Sequence, residues 1–149
     1  MTALGAMPIL ARSHPQRVGV PSPMTTYLWV AVGGAIGSIA RYWASGAAAS
    51  ALGATFPWGT LIVNVLGSFV IGVTAALTGP GGRLAVPSDA QVFVMVGLCG
   101  GFTTFSSFSL QTLGLLQEGE WARAAANTVG SFALCLIAVW AGHAAVSRL

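Results

Sequence analysis

The sequence predicts an all-α integral membrane protein with four transmembrane helices, of which the third is broken. Three observations predict this class. Only 6% of the 149 residues are charged, 55% are hydrophobic, and mean hydropathy is +0.80. Charge-free stretches are long enough to span a bilayer, and the third carries helix-breaking residues at its centre. A soluble domain carries about 25% charged residues, so a soluble enzyme, a disordered chain and a disulfide scaffold are excluded.

The first 23 residues differ from the rest. They contain two Arg, one His and four of the seven Pro, and they lack the continuous apolar core of a signal peptide. We predict that residues 1–23 form a disordered N-terminal extension, or that Met24 is the true initiator. Residues 24–149 are then one four-helix transmembrane domain.

Four apolar segments follow. A spanning helix needs about 20 apolar residues, and the charge-free stretches predict spans at about 27–49, 58–77, 91–115 and 124–146. The first span could end early, near Trp43. Short connections leave no room for a soluble domain, and aromatic residues such as Trp58 and Trp121 fall at span ends, where aromatic belts form.

The basic residues are balanced across these spans. All six are Arg, with no Lys. Four lie on the side of the termini and two on the other; without the extension the count is two against two. The positive-inside rule then has little to act on, so the chain could insert both ways and pair as an antiparallel dimer, or keep one weakly biased topology. Single scattered Arg do not form a nucleic-acid-binding face.

The third span contains GGFTTFSSF at residues 100–108. Adjacent Gly and β-branched Thr are poor helix formers, and backbone that leaves the helix at bilayer depth is tolerated only where protein or a cavity surrounds it. Freed carbonyls could bind a hard cation such as Na⁺. The alternative is a glycine packing notch in which Thr bonds back to its own helix.

Aromatic and hydroxyl side chains follow this break. Phe105 and Phe108 are three residues apart and share a helix face, with Ser106, Ser107 and Ser109 interleaved. Ring edges are electropositive, so a dehydrated anion could pass along them. A plain core or lipid-facing Phe stripe is the alternative.

Spans two and four share the pattern Asn-x-x-Gly-Ser-Phe, at residues 64–69 and 127–132. Gly permits close helix approach, and Asn and Ser can hydrogen-bond across it. These residues could be helix glue. Alternatively, Asn64, Asn127 and Ser131 offer donors to a desolvated anion.

Span one carries small residues from Gly33 to Ser38, which predict a packing face. Arg41 follows. It could snorkel to the interface, or line a water-filled vestibule that attracts anions.

The sequence lacks the residues that proton-coupled transport and several kinds of catalysis require. No carboxylate lies within a span, whereas proton-coupled transporters carry intramembrane acids or His. His143 lies near the C-terminus, Cys99 and Cys135 are predicted to be small packing residues, and no catalytic triad, zinc pattern or P-loop is present. The sequence therefore favours passive conduction over pumping or catalysis.

Three segments together resemble the Fluc/CrcB family of small fluoride channels. They are residues 33–42 (GGAIGSIARY), 56–67 (FPWGTLIVNVLG) and 97–108 (GLCGGFTTFSSF). The resemblance covers the chain from about Tyr27 to its end and implies an antiparallel, dual-topology homodimer with two fluoride pores and one central structural Na⁺.

The resemblance also implies roles for single residues. Main-chain carbonyls of Gly100 and Thr103 would bind the Na⁺, and Arg41 would lie in the vestibule. Asn127 departs from the family, because many members carry Tyr there. The pore would be lined by Asn64, Thr104, Phe105, Ser107, Phe108, Asn127 and Ser131.

We therefore expect a passive fluoride channel that exports F⁻ across the bacterial inner membrane and limits fluoride toxicity. Its expected partners are fluoride, a second copy of the chain and the lipid bilayer, with no nucleic acid. The alternatives are a small proton-coupled exporter and a non-transporting membrane scaffold subunit.

Overall fold

The computed structural model describes residues 23–79 and 82–147. Throughout these residues the regular structure is helical, as the sequence predicts. The predicted N-terminal extension lies outside the described residues except for Pro23, which already belongs to the first helix.

The elements follow one another with short connections. Their bounds are α1 Pro23–Leu52, α2 Trp58–Thr78, α3 Ser88–Val92, a π-helical segment Phe93–Cys99, α4 Gly100–Phe102, α5 Phe105–Gln117 and α6 Trp121–Ser147. The π-helical segment is not predicted by the sequence, because a uniformly apolar run does not mark the extra residue that widens each turn. Such segments are rare and occur frequently at functional sites.

Three helical stretches are long and apolar enough to cross a membrane: Trp58–Thr78, Ser88–Gln117 and Trp121–Ser147. The predicted first span, α1, is 30 residues long but is not among them, since Arg41 and several Gly and Ser lower its hydropathy. The helix itself continues past Trp43 to Leu52.

Two glycines end helices by adopting left-handed backbone. Gly53 follows α1 with φ 86° and Gly119 follows α5 with φ 77°, a conformation that residues with a Cβ rarely adopt. After each of them the chain needs only a few residues before the next long helix begins.

Two close helix crossings organise the bundle. α2 packs along α6 more extensively than any other pair does, and a Cβ at Gly72 or Gly142 would press on the backbone carbonyl of Val139 or Phe69 respectively. α1 lies against the π-helical segment, where a Cβ added to Gly33 would come 3.0 Å from the Cα of Gly97. Small residues therefore set both contacts, as the spacing in span one predicts.

Few large side chains are fully buried within the single chain. Val63 and Asn127 are the largest fully buried side chains, while Phe105, Phe132 and Trp140 are at least 65% exposed. Apolar surface of this extent is expected where lipid or a second chain covers it.

Candidate functional site

The helical backbone is interrupted at Thr103 and Thr104. Both residues are extended, with φ −87° and ψ 160° at Thr103 and φ −155° and ψ 115° at Thr104. α4 ends immediately before them and α5 begins immediately after. The position matches the Gly-Gly-Phe-Thr-Thr sequence, whose residues are poor helix formers.

Asn64 of α2 pairs with the extended backbone. Its Nδ2 donates to the Thr104 carbonyl at 3.1 Å, and the Thr104 amide donates to its Oδ1 at 2.7 Å. A side-chain amide here takes the partners that a neighbouring strand would take. These two bonds remove the cost of leaving both backbone groups unpaired at bilayer depth.

Thr104 also caps α5. Its hydroxyl oxygen accepts from the Ser107 amide at 3.1 Å, and its hydroxyl donates to Ser107 Oγ at 3.1 Å. Ser106 Oγ lies 3.2 Å away. Because Ser107 Oγ acts as acceptor, its own hydroxyl hydrogen stays available as a donor.

Thr103 is held on the other side of the interruption. Its hydroxyl donates to the Cys99 carbonyl at 2.9 Å, which fixes the side-chain rotamer. The methyl group of Thr103 then lies where a Cβ of residue 67 would be, so only Gly fits at Gly67.

Two carbonyl oxygens lack helical partners. Within the part of the chain that the structure describes, the carbonyls of Gly100 and Thr103 accept no hydrogen bond across the interruption. Neutral main-chain oxygens suit a hard monovalent cation, so carbonyl oxygens at these two positions are suitable ligands for Na⁺. No cluster of three or more His, Cys, Asp or Glu occurs among the described residues.

The two aromatic rings lie together beside the interruption. The ring centroids of Phe105 and Phe108 are 5.3 Å apart, at an interplanar angle of 40°. Phe105 is 78% exposed although it is apolar. The pair is therefore not buried as an ordinary core pair.

A cavity of about 600 Å³ lies in front of these residues. It brings together seven of the ten residues singled out by the sequence: Asn64, Gly100, Thr103, Thr104, Phe105, Phe108 and Ser131. Ser107 and Asn127 do not line it. Residues from both predicted groups, the expected fluoride pore and the expected Na⁺ site, thus line one groove.

Asn127 is 1% exposed and lies behind this groove. Its Nδ2 donates to Thr112 Oγ1 at 2.8 Å, and its Oδ1 accepts from Ser131 Oγ at 3.3 Å. Thr112 in turn donates to the Phe108 carbonyl at 2.8 Å. Asn127 therefore contacts the α5 helix and not the open groove.

Arg41 lies apart from the cavity. Its side chain is half-buried on α1 and does not line the groove. In residues 23–79 and 82–147 the ion pair present is Arg123 with Glu120, at 3.2 Å, so Arg41 has no carboxylate partner there.

The sequence did not single out Thr112. A Thr in the middle of a helix has many neutral roles, and its partner Asn127 is 15 residues away. The one available signal is its spacing, because Thr112 lies one helical turn after Phe108 and so can reach that carbonyl.

Comparison with known proteins gives concordant matches. A family model described as CrcB-like protein, Camphor Resistance (CrcB), matches residues 28–143. The fluoride-specific ion channel FluC of Opitutus terrae is 60% identical over 85% of this chain and 96% of its own. FluC of Rhodospirillum rubrum is 63% identical over 79% of this chain and 92% of its own.

A third relative agrees with these two. FluC of Paramagnetospirillum magneticum is 59% identical over 83% of this chain and 97% of its own. The match covers all the helices that form the groove, and the apolar helices make this a multi-pass protein of the bacterial inner membrane. The chain belongs to the CrcB-like family.

Proposed function

We propose that this protein is a passive, fluoride-selective ion channel that lets F⁻ leave the cell and so limits fluoride toxicity. The observation that carries the proposal is the groove at the interrupted helix, where the Phe105–Phe108 pair lies beside the side-chain amide of Asn64. The names of the relatives, at about 60% identity, support the same ion.

Fluoride is small and strongly hydrated, so a selective pore must replace its water with donors. Asn64 lines the groove and has a second Nδ2 hydrogen that makes no bond within the described residues. Ser107 lies outside the groove lining, next to Phe108, and keeps its hydroxyl hydrogen. Phe105 and Phe108 add electropositive ring edges. Neutral donors can bind an anion weakly enough to release it, as conduction requires.

The proposed working unit is an antiparallel, dual-topology homodimer in which α1 is the fourth transmembrane helix of each chain. The wide exposure of Phe105 and Phe132 supports a partner over the groove, and the balanced Arg count supports insertion in both orientations. Carbonyls of Gly100 and Thr103 from both chains would hold one structural Na⁺ at the dimer centre. Its charge would offset the partial negative charges of these carbonyl oxygens.

Arg41 is proposed to attract anions at the pore entrance. It carries no carboxylate partner in the described chain, so its charge is not cancelled locally. The charge of Arg41 would raise the local concentration of anions, and this effect on fluoride flux should fall as ionic strength rises.

The test is halide efflux from liposomes containing the purified protein. Fluoride efflux without chloride efflux, limited only by charge compensation, is expected. Efflux that requires a proton gradient would favour a coupled exporter. An absence of efflux for both halides would favour a membrane scaffold and contradict the proposal.

A further inference from the structure

A hydrogen-bonded bridge connects the groove-lining helix α5 to α6 behind the aromatic pair. Thr112 is its centre: Oγ1 accepts from Asn127 Nδ2 at 2.8 Å and donates to the Phe108 carbonyl at 2.8 Å. Ser131 completes the bridge by donating to Asn127 Oδ1 at 3.3 Å.

This bridge matters because α5 has few other attachments. α5 packs mainly on α6 and only slightly on α2. Among the described residues, the Thr112–Asn127 bond is the one side-chain hydrogen bond that joins α5 to α6. At the other end of the helix, the chain is fixed by the bonds between Asn64 and Thr104.

The aromatic pair lies between these two attachments. Thr104 precedes Phe105 directly, and Thr112 is one helical turn beyond Phe108. With only the first attachment, α5 could rotate about its axis, and a rotation moves both rings relative to the groove. With both, the rotational setting of the helix is fixed.

We propose that Thr112 is a positioning residue of the pore, which sets Phe108 through its carbonyl and anchors α5 to the buried amide of Asn127. Thr112 itself does not line the groove. Asn127, 1% exposed, then acts on conduction through Thr112 and not as a donor to the ion. This inference rests on the proposed fluoride conduction.

The test compares fluoride efflux rates of three variants with the wild type. Thr112→Val keeps the shape of the side chain and removes both hydrogen bonds, so flux should fall about fivefold to tenfold, as expected for the loss of ordinary neutral hydrogen bonds. Thr112→Ser keeps the hydroxyl and should stay within about twofold of the wild type. Thr74→Val is the matched control.

Thr74 is suited to this purpose because it donates to the Val70 carbonyl four residues back, at 2.9 Å, on the exposed side of α2. It has the same local bond as Thr112 without a second partner on another helix. Its substitution should leave flux unchanged. If Thr112→Val does not fold, Thr112→Ala removes the same hydroxyl with less crowding.

Three results would overturn the inference: wild-type flux in Thr112→Val, equal loss in Thr112→Ser, or equal loss in Thr74→Val. A double-variant cycle gives a further check. If Asn127 acts through Thr112, Asn127→Ala should lower flux little further in the Thr112→Val background; a full second loss would assign Asn127 a separate role. Absence of fluoride flux in the wild type would instead contradict the proposed function itself.

Discussion

Asn64 and Asn127 occupy equivalent positions in the repeated pattern Asn-x-x-Gly-Ser-Phe, but they contact different kinds of partner. Asn64 on α2 bonds two backbone groups of Thr104 where the helix is interrupted. Asn127 on α6 bonds two hydroxyl groups, those of Thr112 and Ser131, beside an intact helix. The same residue type therefore supports an interruption in one place and a helix contact in the other.

The glycines of the two patterns differ in the same way. Gly67 faces the methyl group of Thr103, whereas Gly130 has open space where its Cβ would be. A short sequence echo thus predicts neither the neighbours nor the role of its residues. Position relative to the interruption decides both.

The largest expected difference in fluoride flux is between Asn64→Ala and Asn127→Ala. Asn64→Ala leaves the amide and carbonyl of Thr104 unpaired, which costs about 1–3 kcal/mol for each group. Fluoride flux should fall about a hundredfold. Asn127→Ala disturbs only side-chain partners and should lower flux about fivefold to tenfold. Liposome efflux of both variants measures the ratio.

Asn64→Asp sharpens this comparison. It keeps an acceptor for the Thr104 amide but places a second oxygen against the Thr104 carbonyl and adds negative charge beside an anion path. Its flux should be no higher than that of Asn64→Ala. Equal flux in Asn64→Ala and Asn127→Ala would remove the distinction between the two sites.

A smaller difference, in protein stability, is expected between Gly67→Ala and Gly130→Ala. In Gly67→Ala the new methyl group collides with Thr103, whose side chain is fixed by its bond to the Cys99 carbonyl. The free energy of unfolding should fall by about 1–3 kcal/mol, as for other overpacked sites. The methyl group of Gly130→Ala has room within the chain, so this substitution should change the free energy of unfolding less. Unfolding in detergent, followed by circular dichroism, measures both; equal losses would contradict the assigned contact.

The smallest effect is expected for Ser131→Ala. It removes one donor from Asn127 Oδ1, at a contact of 3.3 Å, and should lower flux about twofold to fivefold. Ser147→Ala is the control, since that exposed hydroxyl donates to the His143 carbonyl of its own helix at 2.9 Å. An efflux rate for Ser131→Ala equal to that of the control would leave Ser131 without a role in the bridge.

The helices were largely predictable because charge-free length is a local property. The predicted span at 58–77 and the observed helix Trp58–Thr78 differ by one residue. The interruption was predictable too, since Gly and Thr act on their own backbone. The π-helical segment was not, because nothing in the apolar run Phe93–Cys99 marks it.

The candidate site was predictable in membership more than in geometry. Phe105, Phe108 and Asn64 were identified, and all three line the groove. The reciprocal bonds of Asn64 to Thr104 join residues 40 positions apart, so local patterns do not encode them. Thr112 was missed for the same reason, since its role depends on a partner on another helix.

The central claim is that the aromatic pair at the interruption carries fluoride. Its most direct test is fluoride efflux from liposomes containing Phe105→Ile/Phe108→Ile beside the wild type, with size-exclusion chromatography to confirm that both form the same assembly. We expect rapid efflux from the wild type and the level of protein-free liposomes from the double variant, because Ile offers no electropositive ring edge. Wild-type efflux from a correctly assembled double variant would contradict the claim.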